Sequence, residues 1–224
     1  FWAEPWVLTQ LEDLADRTGR WSEFVQVLRG VMAEHDAGRT AGVAVRLSAV
    51  LAHQLRQRDE AQRLLEGALE YASDDPEALD LMIDLLSENA DSSAALPYIE
   101  TRLRGKVEPG RAAVLWGIVA ESHLTAGRVT ESNQAYREQL RTGVGQVAAT
   151  NALAAGLRRA EDWHGLVELW RGTLAHADSP EAEKQRRFDM AEVLREHLDD
   201  AAGAIDALAP IVSRLGDAEE LGLV

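Results

Sequence analysis

The 224-residue chain contains no cysteine, which excludes disulfide frameworks, zinc–thiolate sites and thiol nucleophiles. Aromatic residues make up only 5%, and the β-branched or aromatic runs that build strands are nearly absent. Long apolar runs are missing too. The longest, "VLWGIVA" (Val114–Ala120), falls well short of the roughly 18–20 residues a membrane helix needs and fits a buried helix instead. Positive charge is scarce: 23 Lys and Arg against 38 Asp and Glu leave a formal net charge of −15. Both a non-specific nucleic-acid binder and a protein docking on anionic lipid rely on Lys and Arg, so the balance argues against nucleic acid and against membrane docking as partners. Lysine is rarer still, only Lys106 and Lys184, a bias of the kind a GC-rich bacterial genome produces. The N-terminal "FWAEPW" has no basic n-region and is no signal peptide. A cytoplasmic protein is expected, or a periplasmic one if an upstream signal has been removed.

What the chain does have is 46% hydrophobic residues, mostly Ala, Leu and Val, a mixture that rules out disorder and favours helices. It also has a period. Pro5, Pro76, Pro109 and Pro180 stand 71, 33 and 71 residues apart. Breaks near Gly38–Thr40 and at "TGVG" (Thr142–Gly145) fill the longer gaps, so segments start near 5, 40, 76, 109, 145 and 180, close to every 35 residues. Each segment breaks again at its middle: at Arg17–Trp21, Arg56–Glu60, Glu88–Ser93, Thr125–Thr130, Arg159–Trp163 and His197–Ala201. Within the halves apolar residues recur at three- and four-residue steps, as Leu65, Ala68 and Leu69 do, which is helical periodicity. The pattern predicts repeats over 5–38, 39–74, 75–108, 109–144, 145–178 and 179–216, each a helix–turn–helix, with 217–224 starting a further helix. Pro97 is expected to bend the second helix of the third repeat, and Pro210 that of the sixth.

The stretch "SDDPEALDLM" (Ser73–Met82) could be an acidic site or a helix start. Asp74 or Asp75 can cap a helix, Pro76 fits the first helical position, and Glu77 faces the positive end of the helix dipole. "ADSPEAE" (Ala177–Glu183) repeats the device with Ser179, Pro180 and Glu181, and no second ligand cluster accompanies the acids. Capping is the better reading. The six histidines make no i, i+4 pair and no HExxH. "TGVGQ" lacks the strand a phosphate cradle needs, and no nucleophile motif occurs. No catalytic residue, metal or cofactor is expected.

Two helices per roughly 34 residues resembles the tetratricopeptide repeat. In the fourth repeat Trp116, Ala120, Gly127, Val129, Ser132 and Tyr136 fall at that family's spacings. Ala49, Ala61, Leu65 and Ala68 match in the second, and Met82, Ala94 and Tyr98 in the third. Gly19, Trp21 and Leu28 match in the first, Ala154, Trp163 and Trp170 in the fifth, and Ala201 and Ile205 in the sixth. Phe24 and Leu166 depart from it by replacing a small residue. "GRWSEFVQVLRG" (Gly19–Gly30) is itself similar to "EDWHGLVELWRG" (Glu161–Gly172), a sign of duplicated repeat pairs.

The resemblance implies an all-α, right-handed α-solenoid and a non-catalytic scaffold that binds a partner peptide or helix in a concave groove, as part of a larger bacterial assembly. The alternative is a sensor or regulatory module of a larger signalling or transcription protein. The family's groove positions fall on Arg46 and His53 in the second repeat and on Ile83 and Leu86 in the third. They fall on Glu121 in the fourth, Asn151, Arg158 and Arg159 in the fifth, and Arg186 and Arg195 in the sixth. Arginine pairs carboxylates bidentately, so the basic end suits an acidic partner segment. Self-association through the ends of the array, around Trp2, Trp6 and Leu8, is a further expectation.

Overall fold

The computed structural model describes residues 5–88, 92–176 and 179–220, and over these the chain is all-α. It forms two compact units, Phe1–Val107 and Glu108–Val224. The first unit holds α1 (Pro5–Thr18), α2 (Trp21–Glu34), α3 (Ala37–His53), α4 (Arg58–Tyr71), α5 (Pro76–Ser87) and α6 (Leu96–Arg104). The second holds α7 (Pro109–Thr125), α8 (Val129–Arg141), α9 (Gln146–Arg159), α10 (Trp163–Thr173), α11 (Pro180–Glu196) and α12 (Ala201–Glu220). Within each unit every helix packs on the next, and α3 also reaches past α4 to α5. Successive helical hairpins therefore stack on one another, as in a helical repeat array, where no single hairpin can bury its own apolar face.

Four of these helices start with side-chain caps. The Asp75 carboxylate accepts a hydrogen bond from the Ala78 N–H at 2.8 Å, with Pro76 opening α5 behind it. Ser179 Oγ accepts from the Ala182 N–H at 3.1 Å ahead of Pro180. Asp162 and Asp200 cap α10 and α12 in the same way, at 2.9 Å and 2.8 Å. The acidic stretch at Ser73–Met82 is thus punctuation, and each such cap stabilises its helix by about 1 kcal/mol. Glu108, before Pro109, makes no cap bond from its side chain.

The turn inside five of the hairpins is made by the backbone. Two residues before the second helix stands one residue with positive φ: Gly19 (70°), Arg56 (58°), Gly127 (73°), Glu161 (55°) and Asp199 (52°). In three of these turns the next N–H reaches back five residues to a carbonyl of the preceding helix: Arg20 to Ala15, Arg128 to His123 and Asp162 to Leu157. This is the Schellman closure, which favours glycine at its left-handed position. Only two of the five positions have one.

The core follows the periodicity. In the first unit Leu28, Leu47, Leu51, Ala61, Leu65, Met82, Ile83 and Ile99 are fully buried; in the second Leu115, Leu153, Leu157, Leu166 and Met190 are. The similar stretches of α2 and α10 bury matching positions: Phe24, Val25 and Leu28 in one, Leu166, Val167 and Trp170 in the other.

Three expectations change. Pro97 does not bend a helix. A 3-10 turn (Ser92–Ala95) precedes α6, which places Pro97 in that helix's first turn, where no backbone donor is needed. The helix is only nine residues long as a result. Residues 217–220 do not begin a new helix but continue α12, which carries Pro210 inside it. Gly38–Thr40 is no break either, since α3 already starts at Ala37. Trp2 and residues 221–224 lie outside the described residues, as do positions 89–91 of the third hairpin's turn.

Candidate functional site

The second unit carries a cleft of about 420 Å3 between α9 and α11. One wall is a single face of α9: Val147, Asn151, Ala154, Ala155 and Arg158, spaced by three or four residues. The other is a face of α11: Ala182, Gln185, Arg186 and Asp189. Trp170 of α10, only 4% exposed, closes the cleft from behind. The alanines leave the room, and the polar side chains stand along its edges.

These side chains are held by one another. The Arg158 guanidinium lies over the Trp170 ring, 5.1 Å from its centroid, a cation–π contact that orients it. Its Nη2 is 3.7 Å from Asp189 Oδ2. The other Asp189 oxygen, Oδ1, accepts a hydrogen bond from Gln185 Nε2 at 2.8 Å. Arg186 Nη1 donates to the Thr173 carbonyl at 2.9 Å, satisfying an orphan carbonyl near the end of α10. Two guanidiniums and one carboxylate leave the cleft locally positive in a chain of net charge −15.

The structure therefore gathers Asn151, Arg158 and Arg186 in one cleft. Arg159 does not line it. Arg195 lines an adjoining cleft of about 380 Å3 between α11 and α12, with Phe188, Glu192, Ala204 and Leu208. Gln185 and Asp189 form the ridge common to both clefts. Glu121 accepts a hydrogen bond from the Tyr136 hydroxyl, so it serves the α7–α8 hairpin. Burial pushes the Tyr136 hydroxyl well above the usual tyrosine range, and Glu121's bond and charge add to the rise.

In the first unit the apolar groove positions are corrected. Ile83 is 0% and Leu86 7% exposed, so both side chains belong to the core and present no surface to a partner. A single register places them on the family's groove face, but α5 buries most of its circumference, with Ala78, Leu79, Leu81, Met82 and Leu85 also inside and Glu77 and Asp84 left exposed. Arg46 lies 3.7 Å from Glu12, and His53 is exposed at the end of α3. Sequence reasoning did not single out Gln185 and Asp189. Asp189 lies three residues beyond Arg186 and four beyond Gln185, about one helical turn, and that spacing is the signal that finds them.

Among the described residues no group of three metal-ligating side chains comes together. No described helix is long and apolar enough to cross a membrane.

No family model matches the chain, and no curated protein does. Among solved structures it is similar to a signal transduction ATPase with numerous domains, from Pyrococcus horikoshii, that carries a tetratricopeptide repeat sensor. Identity is 14% and the TM-score 0.47, over 93% of this chain and 36% of that one. It is also similar to the C-terminal part of a tetratricopeptide repeat-containing protein from Cytophaga hutchinsonii, at 11% identity and a TM-score of 0.43, over 89% and 94% of the two chains. The chain spans about a third of the length of the first of these. Its own stacked hairpins make it an all-α helical repeat protein.

Proposed function

We propose that the protein is a non-catalytic interaction module of a larger bacterial assembly, and that the cleft between α9 and α11 binds an acidic segment of a partner protein. The observation that supports this is the pairing of Arg158, oriented on Trp170, with Arg186 above a floor of small residues. Pre-oriented guanidiniums bind carboxylates with less entropy lost per bond than free ones. An enzyme is disfavoured because the cleft, lined by Arg, Asp, Asn and Gln among small residues, offers no nucleophile beside a base.

The test is an array of acidic and neutral peptides, with hits titrated calorimetrically against the native protein, Arg158→Gln and an Arg158→Glu/Arg186→Glu variant shown to be folded by circular dichroism. Acidic hits should prevail, and both variants should lose at least about tenfold in affinity. Hits that bind the variants as well as the native protein would place binding elsewhere.

Self-association through the ends of the array is a second contact. Trp6 and Leu14 are exposed on α1, and Ile205 and Val212 on α12, at 69% and 66%. Sedimentation velocity over a concentration series measures it.

A further inference from the structure

The cleft already contains a carboxylate. Asp189 reaches Arg158 across from α11, while Arg158 also rests on the Trp170 ring of α10. The two contacts on Arg158 are therefore independent: one fixes where the guanidinium sits, the other occupies its carboxylate-facing edge. The ion pair is long, at 3.7 Å, and its side chains are 50% and 34% exposed. A pair of that exposure is weak and exchanges readily. Asp189 does not depend on it for its place, because Gln185, one turn earlier on the same helix, holds its other oxygen at 2.8 Å. Arg186 is anchored separately on the Thr173 carbonyl.

We infer that Asp189 is a built-in stand-in for the ligand's own acidic residue, displaced from Arg158 when the partner binds. This rests on the cleft being the binding site. Its consequence is selection by exchange. A segment carrying Asp or Glu replaces the Arg158–Asp189 pair with one of the same kind and leaves no guanidinium unpaired. A segment offering only neutral groups must break that pair and gives nothing equivalent back. The internal carboxylate thus costs every ligand that displaces it the same pair, and only an acidic ligand makes that pair good.

The experiment measures fluorescence anisotropy with two labelled, C-amidated peptides, four repeats of Glu-Leu-Ser and four repeats of Gln-Leu-Ser. They are titrated against the native full chain, Asp189→Asn, Arg158→Gln and Glu192→Gln. Glu192 lies nearly one turn beyond Asp189 and lines only the adjoining cleft, so its variant removes the same charge without touching the pair. Asp189→Asn should bind the Glu peptide roughly two- to fivefold more tightly than the native chain does. Glu192→Gln should match the native chain, and the Gln peptide should bind more weakly to all four. An equal gain in Glu192→Gln would show general charge repulsion and overturn the exchange, as would an Asp189→Asn variant that gains nothing or fails to bind. Should the Glu peptide bind, lose affinity in Arg158→Gln and ignore Asp189→Asn, the cleft reading stands and the exchange alone falls. Should Arg158→Gln also leave it unmoved, both fall.

Discussion

At the scale of single residues the backbone and the side chain sometimes disagree, and the disagreements are measurable. Arg56, Glu161 and Asp199 occupy left-handed turn positions where Gly19 and Gly127 sit in sister hairpins. A side chain in that region costs on the order of 1 kcal/mol. Glu161→Gly should therefore raise the free energy of unfolding by up to about 1 kcal/mol in urea titrations, less the extra freedom the unfolded chain gains. The reverse holds at Gly156. A methyl group there would land on Asn133 Oδ1, well inside van der Waals contact, and Asn133 is only 4% exposed. Gly156→Ala should cost roughly 1–3 kcal/mol, and Asn133→Ala in the same chain should recover much of it. Tyr136 gives a pH dependence. Its hydroxyl stays protonated in the folded chain above the ordinary tyrosine value of about 10, so the stability it contributes is complete below that value and is lost as pH climbs beyond it. Tyr136→Phe should flatten the alkaline fall in the urea midpoint.

At the scale of elements, the helices were legible because their starts are chemical and their faces periodic. Asp75 with Pro76 and Ser179 with Pro180 could be read directly from the sequence. Ala61 and Leu65 could be placed in a seam from their spacing, and both are fully buried. Ala61→Leu should overpack that seam by roughly 1–3 kcal/mol, seen as a lower thermal midpoint. Pro97 was misjudged because a proline two residues into a helix and one in its middle look alike until the helix start is known. The 3-10 turn at Ser92–Ala95 carries no strong sequence mark. Half of the cleft was legible for a similar reason: Asn151, Arg158 and Arg186 follow from register, whereas Asp189 enters through a contact between helices 31 residues apart in the chain. Ile83 and Leu86 went astray because a register assigns a face but not whether a neighbour covers it.

At the scale of the molecule, the two compact units each carry their own buried residues, from Leu28 to Ile99 in one and from Leu115 to Met190 in the other. Residues 1–107 and 108–224, made separately, should each give a helical circular dichroism spectrum and a cooperative melt. A fragment without a melt would show that it needs the other. The clefts discussed above lie wholly within the second unit, so the fragment 108–224 should also retain the peptide binding of the full chain.

The hairpin turns have a consequence for how such a chain changes over time. A bend closed by N–H and carbonyl groups, as at Gly19, Gly127 and Glu161, asks little of the side chains it carries, and even a glutamate is accepted where glycine would be easier. The bend of such a hairpin is thus kept by parts that mutation cannot remove. Gln146–Thr173 can then be regarded as a cassette: its inner bend is closed by the main chain, and the residues facing the cleft are free to be rewritten for a different partner without retuning that bend.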